Sequence, residues 1–169
     1  MFDVKVMRAV GQMLARTARK TAEDESTAKN EVIDLMPLLK QWAPGNHELG
    51  AVVVENDVPY KVIQAHDSTN NPDWMPSTTP ALFAPFHGTD KDHALPYAVP
   101  THAGDAYMAG EWMIYTDGLT YMCKQDHTVH APDVLPSAWE VYVTQEEIDE
   151  EIDEERGMTH DQLDGTTEK

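Results

Sequence analysis

The sequence predicts a mainly β protein: two small antiparallel β modules in tandem, a helical segment before them and an acidic tail after them. The first observation behind this is an internal repeat. Val52–Phe86 and Trp112–Tyr142 follow one plan: a glycine (Gly50, Gly110), a short apolar strand, a polar turn, and a second strand through Tyr60 or Tyr121. Each copy then reaches a histidine (His66, His127), a polar loop, and a closing Pro-x-x-aromatic, Pro80 to Phe83 and Pro136 to Trp139. Self-similarity of this kind marks a duplicated structural unit. The second observation is the 11 prolines and 9 glycines, gathered mostly in the middle of the chain as turn-rich β structure requires. The third is segregated charge: Lys5, Arg8, Arg16, Arg19 and Lys20 open the chain, and Glu146 to Glu155 form an acidic block near its end.

The helical segment is expected over residues 1–41. Val6, Val10, Met13 and Thr17 recur at spacings of four and three, with Met7 and Leu14 beside them, which is the seam of an amphipathic helix. Such a helix is barely longer than the about 12–15 residues below which an isolated helix is marginal. It therefore packs on its own domain, on copies of itself or on a partner, and a homotrimer is expected. A second helical piece from Asp24 runs to a break at Pro37. The first β module is placed at 42–86, starting at the turn signature Ala43-Pro44-Gly45-Asn46. Residues 87–103 lack apolar periodicity and read as a linker or an ordered loop across the modules. The second module takes 104–143. The tail, 144–169, carries only Ile148 and Ile152 as an apolar stripe in a partly disordered acidic run.

At 169 residues the chain holds one ordinary domain or two very small ones. A net charge of -18 argues against nucleic acid as a partner. The single cysteine, Cys123, excludes an intrachain disulfide framework and a cysteine-rich zinc site. No signal peptide and no span long enough to cross a bilayer are read, so no membrane partner is expected.

No nucleophile elbow, phosphate loop or HExxH motif occurs, so neither catalysis nor a cofactor is expected. The eight histidines lack ligand spacing, and His66 and His127 read as residues that hydrogen-bond their own loops rather than a metal site. The aromatic side chains are what could carry recognition, because an exposed ring stacks on the apolar face of a sugar. The carbohydrate-binding candidates are Trp74, Trp112, Tyr115, Tyr107 and Trp139. A small domain also needs aromatics as core, and Tyr60, Tyr121, Phe83 and Trp139 read first in that role. Trp74 stands in a polar loop with no counterpart in the second copy.

These positions resemble the small chitin-binding carbohydrate-binding modules of families 5 and 12. Gly104-Asp105-Ala106-Tyr107, Gly110-Glu111-Trp112, Tyr115-x-x-Gly118-x-x-Tyr121 and Pro136-Ser137-Ala138-Trp139 carry the likeness, as do Gly50, Tyr60 and Pro80-Ala81-Leu82-Phe83. The run Tyr60 to His66, followed by Asp73-Trp74-Met75-Pro76, resembles the version found in tailed-phage structural proteins, which also open with a helical segment such as Leu35 to Trp42. Chitinase modules usually carry two adjacent exposed tryptophans after the second strand, where this chain has Ile63-Gln64-Ala65 and Lys124-Gln125-Asp126. The resemblance implies a virion accessory protein, such as a capsid-decoration, head-fibre or tail protein, that displays its modules to surface polysaccharide among other virion proteins. The alternative is a structural virion protein whose modules make protein contacts and bind no sugar.

Overall fold

The computed structural model describes residues 4–25, 27–101 and 103–143, and the acidic tail expected over 144–169 lies outside them. The architecture is mainly β, with a leading helix and ten short strands. Helix α1 spans Val4–Glu23, ending on Lys20 in its last turn, where a cation suits the helix dipole. Its seam is largely uncovered. Val6 is 55%, Val10 45% and Met13 62% exposed, and only Ala18 and Ala22, one turn apart in the last turns, are buried. Helix α2 (Lys29–Asp34) leads into a 3-10 turn, Met36–Leu38, around Pro37, close to the expected break.

Strands β1 (Lys40–Gln41) and β2 (Asn46–His47) precede the hairpin of β3 (Val52–Glu55) and β4 (Val58–Val62). Asn56 and Asp57, both at positive φ, make its two-residue turn, as the right-handed twist of the strands favours. Next come β5 (His66–Asp67), which pairs with β2, and β6 (Phe83–Pro85). The remaining strands are β7 (Leu95–Pro96), β8 (Trp112–Ile114), β9 (Thr120–Cys123) and β10 (Trp139–Tyr142).

The repeat read from sequence is a repeat of topology. One sheet has the order β1-β3-β4-β6 and the other β7-β8-β9-β10, each with a parallel entry strand followed by an antiparallel three-strand meander. Registers also match, since Tyr60 opposes Val53 and Pro85 as Tyr121 opposes Met113 and Val141. Gly50 and Gly110 adopt φ of 83° and 87°, a region that favours glycine, and their N–H groups donate 2.8 Å bonds to Val62 and Cys123.

Each unit begins upstream of the boundaries expected at 42 and 104. The 3-10 turn Met36–Leu38 feeds β1, and a second such turn, Lys91–His93, feeds β7. The stretch expected as a linker or ordered loop thus supplies the second sheet's edge strand. It lacked a visible signal because an edge strand of two residues shows no periodicity.

Alternation gives each sheet two faces. One face of the first sheet builds a core of Val53, Val58, Tyr60, Val62, Leu82 and Phe83. Its other face, Val52 and Val54, is sealed by Ala18, Ala22, Val32 and Leu39. The second core is Tyr107, Met113, Cys123, Ala138 and Trp139.

A buried carboxylate ties the parts together. Glu111, 3% exposed, takes an ion pair from Lys29 of α2, a 2.9 Å bond with His87 Nδ1 and a 2.8 Å bond from the Met108 amide. Burial pushes this carboxyl up, but the His87 and Lys29 bonds outweigh it and hold it below its ordinary 4.5. Its folded value is therefore below its unfolded one, so its contribution is present above about pH 4.5 and is lost as pH falls through the folded value. Glu111→Ala should cost about 1–3 kcal/mol at neutral pH by stranding buried donors, and should lessen acid destabilisation in melts between pH 3 and 7. Phe83→Ala should cost about 3–5 kcal/mol as a buried aromatic truncation, whereas Val10→Ser, at an exposed site, should leave the melting of a single copy unchanged.

Candidate functional site

The second unit carries an open aromatic cleft. Tyr121 on β9 and Trp139 and Val141 on β10 share one sheet face by alternation, Tyr115 follows β8, and Asp117, Leu119, Pro132, Asp133 and Pro136 form the walls. Trp139 lies at the floor, 4% exposed, with its indole N–H donating 2.9 Å to the His130 carbonyl. Tyr115 and Tyr121 stand half-buried with ring centroids 6.2 Å apart at 88°.

Carboxylates stand beside both phenols. The Tyr121 hydroxyl donates 2.8 Å to Asp117, and the carboxylate of Asp133 lies close enough to Tyr115 to act on its phenol. These carboxylates raise both phenols above their ordinary 10.0, because ionisation would place a phenolate against a carboxylate. The result is a set of rings rimmed by carboxylate hydrogen-bond acceptors. Apolar surface beside a few fixed polar groups suits an uncharged ligand rich in hydroxyls.

The equivalent face of the first unit is occupied by the chain itself. By strand register Tyr60, Phe83 and Pro85 match Tyr121, Trp139 and Val141, and by their sequence offset from these Val58, Pro76, Ser77 and Pro80 match Leu119, Pro132, Asp133 and Pro136. They face Pro96, Tyr97, Ala98, Val99, Thr101 and Asp105 across a narrow space. Val58 is 3% exposed where Leu119 is 40%. The duplication thus yields one closed face and one open face.

The five expected sugar contacts are not brought together. Tyr115 and Trp139 line the cleft. Tyr107 is corrected to core: it is 1% exposed, stacked 3.7 Å from His87, and its hydroxyl accepts from the Ala98 amide. Trp112 lies on the opposite sheet face, edge-on to Tyr142 at 6.1 Å. Trp74 is 39% exposed in the first unit, 6.3 Å from the His66 ring, apart from the cleft. His66 bonds its own loop as expected, Nδ1 donating 2.8 Å to the Gln64 carbonyl.

Sequence reasoning assigned Tyr121 first to the core, took Pro136 only as a position of the repeat opposite Pro80, and named neither Asp117, Asp133 nor Pro132 as a site residue. Extending that alignment back through the polar loops pairs Pro132 with Pro76. Nothing in the sequence told which copy stays open. No protein-family model and no curated protein matches the chain.

Spectrophotometric titration checks the hydroxyl anchors. Asp117→Asn should bring the Tyr121 ionisation down toward an ordinary tyrosine without changing the fold, and an unchanged titration would mean that Asp117 does not hold the ring.

Proposed function

We propose that this protein is a virion accessory protein that displays a carbohydrate-binding face, one open cleft per chain, with copies gathered into a homotrimer through the N-terminal helix. The observation that carries the sugar reading is the open cleft, where Tyr115, Tyr121 and Trp139 stand beside Asp117 and Asp133. The resemblance to chitin-binding modules and to tailed-phage proteins supports the setting. A single shallow cleft binds weakly, and linked copies raise avidity by about 10²–10⁴ without any new contact. None of the described helices is long and apolar enough to cross a membrane.

One observation favours a second reading, a structural protein that binds no sugar: polypeptide already faces the matching surface in the first unit. The same cleft would then hold an extended segment of another virion protein, as aromatic and proline-lined grooves do.

Binding to a glycan array, followed by calorimetry on the best oligosaccharide, separates the two. Tyr115→Ala and Tyr121→Ala should each weaken sugar binding at least tenfold, a loss of about 1.4 kcal/mol, with the melting of Trp74→Ala and its binding both near wild type. Loss of binding in Trp74→Ala alone would move the site to the first unit's loop, and no binding to any glycan would leave the protein-contact reading.

A further inference from the structure

The second unit's outer sheet face is only partly covered where its twin is sealed. On that face Trp112, Met122 and Glu140 form one cross-strand row and Ile114, Thr120 and Tyr142 the next. The matching positions in the first unit include Val52, Val54 and Phe86, packed under Ala18, Ala22 and Val32 of the two helices. The 3-10 turns correspond as well: Met36 packs against the sealed cluster, and Lys91 sits 4.9 Å over the Tyr142 ring. What the second unit lacks is the helix. Ile114 and Tyr142 are each 39% exposed.

The same chain holds an unpartnered helical stripe. Val6, Met7, Val10, Met13 and Leu14 of α1 are exposed, and Arg8 and Arg16 flank them. The partly covered face offers Glu140 within it, while Asp92 beside it is ion-paired with Lys91 at 3.3 Å. We propose that the first turns of α1 from one copy lie on the outer sheet face of the second unit of another copy, Val10 and Met13 against Trp112, Ile114 and Tyr142. One helix then serves two sheets. Its last turns cover the first unit of its own chain with small alanines, and its first turns cover the neighbour's second unit with larger side chains.

The exposed first turns are long enough for this, since ten residues of helix extend about 15 Å. A helix on one copy and a sheet on the next make a heterologous contact, which closes into a ring when its rotation permits. The acidic segment after Val143 is a poorer occupant. Its apolar stripe is two isoleucines, and its carboxylates would meet Glu140.

This inference names the surface that gathers the copies proposed above, and it does not depend on what the cleft binds. The experiment mixes two full-length variants, Val10→Cys and Ile114→Cys, under mild oxidation. The native Cys123 is fully buried and stays silent. A disulfide joining positions 10 and 114 between chains, mapped by mass spectrometry, is the expected product, with little Val10→Cys homodimer alone. Light scattering should show an oligomer of the 18.9 kDa chain that Ile114→Glu weakens at least tenfold while its thermal melting stays two-state. Efficient self-crosslinking of Val10→Cys with no 10–114 product would overturn the inference in favour of a helix bundle. Association abolished by deleting 144–169 would make the tail the occupant, and a monomer at every concentration would end the proposal. Glycan binding by isolated copies is measured separately, so either idea can fail alone.

Discussion

A sheet of four short strands has two faces, and in water both ask for cover. This chain duplicates the sheet without duplicating the cover. The first unit has α1 and α2 on one side and the 96–101 segment opposite the other. Among the described residues the second unit has no α-helix over its outer face and only Tyr97 of that segment against its core, so Leu119 stays exposed and Tyr115 and Tyr121 half-buried on one side, with Ile114 and Tyr142 exposed on the other. Unequal covering leaves one unit closed on both faces and the other partly open.

The units are held together by the 96–101 segment lying against the first unit and by a set of polar contacts. Glu111 joins Lys29, His87 and the Met108 amide, and nearby Asn30 and Asp34 of α2 reach the turn before β7 through the Thr89 amide, Asp90 and His93. His93 has its pKa raised by Asp90 and Asp34. Its contribution is therefore complete below pH 6.5 and fades as pH rises through the folded value, while that of Glu111 fades in acid. Exposed members of this seam are screened by solvent and salt, which leaves the buried Glu111 as its main anchor.

Much of the fold was legible because it rests on local signals. Gly50 and Gly110 stand at positive φ, the Asn56-Asp57 turn closes a hairpin, and the α1 stripe has helical spacing. Two-residue strands such as β1 and β7 were not legible, since they are fixed by pairing with Val53 and Met113 rather than by their own pattern. The cleft was half legible. Tyr115 and Trp139 were named from their type and position, but Tyr107 and Tyr121 exchanged roles because ring burial depends on which segment packs across each face. Residue type marks a ring as useful; only the tertiary arrangement decides whether it is core or contact.

Unequal covering of two matching faces is the central claim, and hydroxyl-radical footprinting of the full chain read by mass spectrometry tests it most directly. Tyr121 and Leu119 should oxidise readily while their counterparts Tyr60 and Val58, 5% and 3% exposed, stay protected. Equal oxidation of the two sets would contradict the account, because it would mean that the 96–101 segment does not shield the first unit and that the two faces are alike in solution.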